Sequence, residues 1–214
     1  MDGSKEDFNL QLILLTFKQC LNEEEEVLLD PYLEGWRGLV RFLNSLGAVF
    51  TFISKDLVAK LQIMDQLRAS PQHDQYRSLQ SMVAYELSHQ LVDLTGTSRH
   101  PSSGCRTVLR LHRALCWLHL FLDKLRTSAP EASTAVLCTD SYNATLAAHH
   151  SWVIRRAVTL AFCVLPSRTA FLEAMNVGPP EQAVEMLGEV LPVIDRVFCV
   201  TQKLYEDNAL LNLP

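Results

Sequence analysis

The run Cys105-Arg-Thr-Val-Leu-Arg-Leu-His-Arg-Ala-Leu-Cys-Trp-Leu-His-Leu-Phe-Leu122 is apolar around so much of its circumference that, as a helix, it has to be mostly buried. A helix buried on more than one side does not belong to a simple amphipathic bundle; it needs neighbours on both faces, as in a sandwich of helices. The same run carries Arg106 and Arg110 one helical turn apart. Burying an unpaired guanidinium costs several kcal/mol, and neither neighbouring turn holds a carboxylate. The counter-anion is therefore expected outside this helix, and a ligand is a candidate.

Working outward, nearly every other apolar stretch also repeats at three or four residues. The chain has only eight glycines and no Asn-Gly or Asp-Gly hairpin signal. Helices are predicted near 8–21, 31–47, 49–68, 74–94, 104–126, 133–148, 152–165, 168–175 and 181–207, with no strand. Asp30-Pro31 reads as a cap followed by a first-turn proline, while Pro71, Pro101, Pro130, Pro166 and Pro179-Pro180 mark connections. Pro192 falls inside the last periodic segment and is expected to kink it, because it removes a backbone donor and crowds the preceding turn. The fold class is all-α, a helical sandwich whose central elements are covered on both sides.

The 214 residues, 48% hydrophobic, suffice for one domain over 1–214 with a large core, preceded by a flexible tail at 1–7. A net charge of −5 argues against nucleic-acid partners and against strong attraction to anionic membranes, so any cationic function must be local. The polar N-terminus is unlike a signal peptide and no apolar run approaches bilayer length, which predicts a soluble, intracellular protein. Six scattered cysteines (Cys20, Cys105, Cys116, Cys138, Cys163, Cys199) read as reduced core thiols.

A second segment supplies charge to match the arginines. Phe52, Asp56, Lys60, Ile63 and Leu67 recur at helical spacing, so two charges interrupt a greasy stripe. Alone, they read as a surface i,i+4 ion pair worth a few tenths of a kcal/mol. If they converge with Arg106 and Arg110, three cations face one carboxylate, which suits the roughly −1.5 to −2 charge of a phosphomonoester. Arg106 would also lie in the first turn of its helix, where free amides and the dipole favour an anion. A third element, Ala147-Ala-His-His-Ser-Trp152, offers His150 as a donor to a carbonyl and Trp152 as a ring for a membrane interface.

Asp56-Leu-Val-Ala-Lys60, Arg110, His149-His150-Ser-Trp152 and Pro166 followed by Phe171-Leu172, in this order, resemble the glycolipid transfer protein family over nearly the whole chain from about residue 8. The resemblance implies a two-layer helical sandwich enclosing a hydrophobic lipid pocket, with the headgroup held at its rim. Glycolipid-binding relatives carry Asn and Trp where this chain has Lys60 and Arg110, which exchanges a sugar-binding amide and stacking ring for anion-binding cations. The implied function is non-vesicular transfer of ceramide 1-phosphate between membranes. Lys60, Arg106 and Arg110 would hold phosphate, Asp56 would accept from the amide N–H, and His150 would donate to the acyl carbonyl. His149 replaces the family tyrosine and is not expected to touch ligand.

Trp152 with Arg155 and Arg156, and Trp36 with Arg37 and Arg41, pair a ring with cations and are candidates for membrane contact, although the spacing of Trp36 with Leu39, Val40 and Leu43 also fits a core position. The implied partners are the lipid and, transiently, cytoplasmic membrane faces such as Golgi and plasma membrane, for a cytosolic monomer with no cofactor. Two other readings remain open: glycosphingolipid transfer or sensing by the same fold, and a helical protein-protein adaptor. An enzyme is not expected. The spacing from Cys105 to Arg110 is one residue short of a cysteine phosphatase loop, no Gly-x-Ser-x-Gly or Gly-rich nucleotide loop occurs, and His112, Cys116 and His119 lack a fourth metal ligand.

Overall fold

A computed structural model describes residues 8–94 and 102–213; the expected tail at 1–7 and the connection around Pro101 lie outside the described residues. Among those residues there are nine α-helices: α1 Leu10–Lys18, α2 Leu29–Ser45, α3 Ala48–Arg68, α4 Leu79–Ser88, α5 Gly104–Thr127, α6 Thr134–Ala144, α7 Trp152–Phe162, α8 Arg168–Glu173 and α9 Pro180–Asp207. Short 3-10 turns occupy His73–Tyr76 and Ala147–His149. The chain pairs in β fashion only at two isolated bridges, Leu21 with Val27 and Leu28 with Ser78, among the described residues.

Local chemistry sets the helix starts. Asn9, Ser78, Ser103, Ser133, Ser151 and Ser167 each accept an amide N–H of the first turn that follows, which satisfies a donor the helix cannot. Asp30 does not act as the expected cap. Helix α2 begins two residues earlier, after Leu28, and Asp30 instead pairs from the first turn with Arg68 at the end of α3. The predicted helix over 74–94 is two pieces, because Ser78 and Ser81 form a reciprocal capping box that starts α4 afresh. It ends where Gln90 takes φ 55°. Gly47 joins α2 to α3 at φ 109°, a conformation that L side chains resist. Helix α9 runs continuously through Pro192.

Packing forms a closed circuit in which α2 lies on α3, α3 on α5, α5 on α9, α9 on α1, and α1 on α2; α4 and α6 also pack on α5, α7 on α6 and α8 on α9. This is the two-layer helical sandwich, with α5 inside it. Cys105, Val108, Leu109, Leu111, Leu115, Leu118, Phe121, Leu122 and Leu125 are all buried, so the segment quoted above is covered on several faces as its composition requires. One contiguous core extends from Phe8 to Leu213. Trp36 belongs to it, 1% exposed beside buried Leu39, Val40 and Leu43, which removes it from the membrane-contact candidates: its ring faces inward. Cys163 and Cys199 depart from the expectation of core thiols and are exposed.

Candidate functional site

Helices α3, α5 and α7 and the turn before α7 surround a cavity of about 400 Å³. Its apolar wall is built from Trp36, Leu43, Ile53, Leu57, Ala114, Trp117, Leu118, Leu146, Ile154 and Val158, and its polar rim from Asp56, Lys60, Arg110, Arg113, His149 and His150. The periodicity of α3 explains the rim: Asp56 and Lys60 share the face that also carries Ile53 and Leu57 toward the cavity. Lys60 Nζ lies 2.5 Å from Asp56 Oδ2, with the lysine side chain 14% exposed and the aspartate 72%. The lysine stem is buried while its ammonium reaches the rim, a snorkelling arrangement. Opposite, Arg110 and Arg113 stand on one face of α5 at i,i+3 spacing. The rim thus holds three cations against one carboxylate, all beside an apolar wall.

The two histidines close the site. His150 Nδ1 lies 2.7 Å from the Tyr142 hydroxyl of α6. Burial holds the His150 ring below the usual imidazole range, with nearby His149 and Lys60 acting in the same direction and Asp56 opposing them. His149 is likewise lowered, by burial and then by the Arg113 charge. Both rings are therefore neutral near pH 7, able to donate or accept without adding charge. His149 lines the cavity although no ligand contact was expected of it.

Of the predicted headgroup residues, Asp56, Lys60, Arg110 and His150 come together at this rim. Arg106 does not line the cavity; it is 4% exposed at the start of α5. Burial and then the adjacent Arg110 charge lower its pKa, while Asp93 of the same chain opposes them, so an acid beyond α4, outside the arginine's own helix, bears on this cation. The N-terminus of α5 is also not an open anion site. Glu86 of α4, itself buried, accepts the amides of Gly104 at 2.6 Å and Cys105 at 2.9 Å and the Tyr76 hydroxyl at 3.1 Å, while Ser103 Oγ accepts that of Arg106. Its carboxylate fills the place that dipole and amides offer an anion.

Arg113 is the rim cation that sequence reasoning missed. Its guanidinium donates to the carbonyls of Leu211 at 2.7 Å and Leu213 at 3.4 Å, tying the C-terminal segment to the site. The i+3 relation to Arg110 was a signal for its facing, but the partners lie about a hundred residues away in sequence. No cluster of three or more metal-ligating side chains occurs among the described residues.

At the mouth, Ile154 is both exposed and part of the cavity wall. It continues outward into Trp152 and Val153, 64% and 67% exposed, with Arg155 and Arg156 beside them. The Arg156 guanidinium sits 5.4 Å from the centre of the Trp152 ring. An apolar surface flanked by cations is therefore continuous with the pocket.

Known proteins share this fold. The family described as glycolipid transfer protein (GLTP) matches residues 27–177. The chain is 68% identical to the human ceramide-1-phosphate transfer protein and 52% identical to that of Xenopus laevis, each alignment covering the whole of both chains. A crystal structure of the human protein in complex with 12:0 ceramide-1-phosphate superposes with TM-score 0.94 at 68% identity, over 97% of this chain and all of that one. Full-length identity, a shared fold and a profile match over most of the length agree, and the chain belongs to the glycolipid transfer protein family.

Proposed function

We propose that this protein carries ceramide 1-phosphate between membranes, its headgroup held at the cationic rim and its chains in the apolar interior. Relatives that align with it end to end are ceramide-1-phosphate transfer proteins, and the fold is that of a structure holding that lipid. The observation that carries the reading is the juxtaposition of Lys60, Arg110 and Arg113 with an apolar wall around one cavity. Charge and grease in one site call for an anionic amphiphile. Transfer makes and breaks no covalent bond, and the protein is not an enzyme.

We assign phosphate to Lys60, Arg110 and Arg113, with Arg106 reinforcing them from behind Arg110. Asp56 accepts the ceramide amide N–H and His150 donates to the acyl carbonyl. The chains supply the binding energy, at about 0.8 kcal/mol for each methylene kept from water. The rim selects. A sugar headgroup would bring no negative charge to match its cations. A diacylglycerol phosphate lacks the amide donor and would leave Asp56 facing an ester, a mismatch of about 1–3 kcal/mol. The exposed Trp152 patch with Arg155 and Arg156 would touch membrane surfaces transiently, and we take the working unit to be one cytosolic monomer folded as a single lipid-transfer domain. No helix among the described residues is long and apolar enough to cross a bilayer.

The test is transfer between vesicles of ceramide 1-phosphate, glucosylceramide and phosphatidic acid by the parent, Lys60→Ala and Arg110→Ala. The parent should move ceramide 1-phosphate well ahead of the other two, and each variant should lose roughly tenfold or more, as expected for one charge-assisted contact. Equal transfer of the sugar lipid by the parent would refute the phosphate reading.

A further inference from the structure

We propose that Tyr142 is a positioning residue of the headgroup site: its hydroxyl donates to Nδ1 of His150 and keeps the single imidazole proton on Nε2, the nitrogen left for ligand. This inference rests on the reading of His150 as donor to an acyl carbonyl. The Tyr142 oxygen and His150 Nδ1 are 2.7 Å apart, a normal distance for a bond from a hydroxyl donor. Tyr142 is 1% exposed, with its ring edge-on to Phe162 at 5.8 Å between centres. Among the described residues, His150 Nδ1 is the one acceptor within reach of its hydroxyl, and water has almost no access.

The direction of the bond follows by elimination. A phenol O–H has one proton to give, and a buried donor left without an acceptor is disfavoured. If Nδ1 carried the proton and donated to the phenol oxygen, the phenol proton would have no acceptor. If Tyr142 donates, Nδ1 is the acceptor and both groups are satisfied. Burial keeps the phenol protonated by raising its pKa, against the Arg155 charge, and keeps the imidazole neutral, so the pair shares two protons with one arrangement that uses both. The remaining imidazole proton then sits on Nε2, which has no protein partner among the described residues, on a ring that lines the cavity. The opposite tautomer would present a lone pair to a carbonyl oxygen, and the two acceptors would repel. A bond from outside the site thus fixes which edge of the lipid amide His150 can read, as outer partners fix the tautomer of metal-binding histidines.

The direct test is imidazole nitrogen NMR of the full chain without lipid, with His150 identified by its loss in His150→Gln. The parent should show one neutral tautomer, Nδ1 unprotonated and hydrogen-bonded. A ring protonated at Nδ1, or a mixture of tautomers, overturns the proposal whatever lipid the protein carries. Tyr142→Phe keeps the ring against Phe162 and removes only the oxygen. It should erase the hydrogen-bond signature at Nδ1 and raise the pH at which His150 titrates, because the lost O–H donor favoured the neutral ring. The charged and titratable groups facing the ring are unaltered by that change: Asp56 and Lys60 from α3, Arg110 and Arg113 from α5, Arg155 from α7, and His149 beside it. Ceramide 1-phosphate transfer should fall about fivefold, the worth of one neutral hydrogen bond. In a His150→Gln background the same substitution should change transfer by less than about twofold, since the hydroxyl acts only through the ring. An unshifted His150 titration, or independent losses that multiply in the double variant, overturns the proposal. A parent that moves no ceramide 1-phosphate refutes the functional reading, while the tautomer in the lipid-free protein still decides this one.

Discussion

At the scale of single residues, the fold separates groups that carry charge from groups that must not. His112 belongs to the second kind. It lies on α5, 3% exposed, stacked on Phe198 at 4.1 Å between ring centres, with Nε2 2.7 Å from Gln202 Oε1. Burial lowers its pKa to about 4, the nearby Arg113 charge adding to this and the Gln202 bond opposing it. The folded protein therefore resists a proton that the unfolded chain takes up near pH 6.5, so stability is intact above that pH and is lost as pH falls from 6.5 to 4, by up to about 3 kcal/mol. Replacing His112 by Phe keeps the stack and removes the titration. Urea unfolding of parent and His112→Phe at pH 7.5 and 4.5 should show the variant losing markedly less stability across that interval; parallel losses would refute the assignment. Asp56 is the complementary case. It pairs with Lys60 at the rim, yet our reading has it accept an amide, so Asp56→Ala, which removes the acceptor, should keep a fold stable to within about 1 kcal/mol, given how exposed the carboxylate is. It should nonetheless reduce ceramide 1-phosphate transfer by roughly tenfold. Intact transfer with Asp56→Ala would mean that the amide is read elsewhere.

At the scale of the helix, α5 is a buried rod that needs both ends tied. Its first turn is held by the Glu86 carboxylate, and a Cβ on Gly104 would collide with Met82, so α4 and α5 meet there without room for a side chain. Glu86→Gln can satisfy at most one of the two amides, which predicts a destabilisation of about 3 kcal/mol in chemical denaturation; less than about 1 kcal/mol would show that the cap is replaceable. The path of α5 was legible in the chain because its composition left no polar side, whereas its cap was not, since Glu86 lies eighteen residues before the amide it accepts and nothing local marks the pairing. For the same reason Asp56, Lys60, Arg110 and His150 could be nominated from spacing and resemblance, and the spacing of Trp36 with Leu39, Val40 and Leu43 fitted its burial, while the role of Arg113, whose partners are C-terminal carbonyls, emerges only from packing. Helix α7 poses the opposite problem, with too much of it exposed: Leu160 within it and Val164 just past its end are 71% and 64% exposed. We expect Trp152→Ala to weaken sedimentation with vesicles and to slow transfer while leaving the cavity, which Trp152 does not line, able to hold lipid in detergent-free solution. Undiminished vesicle binding by Trp152→Ala would place the membrane contact on another face.

At the scale of the whole molecule, the cavity is small for its proposed cargo. About 400 Å³ is near the low end of the roughly 300–1,000 Å³ typical of sites for drug-sized ligands, and a sphingolipid with two long chains is larger than such a ligand. The surrounding core is continuous, so the chains must enter by displacing buried side chains, chiefly those of the cavity wall that α2 supplies through Trp36 and Leu43 and α5 through Trp117 and Leu118. Where those side chains part, lipid methylenes pack against them in turn, so loading exchanges one apolar interior for another. The rim adds its charge pairing on top of that exchange. Lipid should therefore stabilise the fold by mass action, by about 2.7 kcal/mol at a free concentration one hundred times the dissociation constant. The gain should grow with acyl length as long as added methylenes stay within the interior. Thermal unfolding with ceramide 1-phosphate of two-carbon and twelve-carbon acyl chains, at equal free lipid concentration, tests this argument: the longer lipid should raise the midpoint more in the parent, and Arg110→Ala should lower both midpoints by a similar step. Equal midpoints for the two lipids would mean that the acyl chain stays outside the sandwich and that the rim alone holds the cargo.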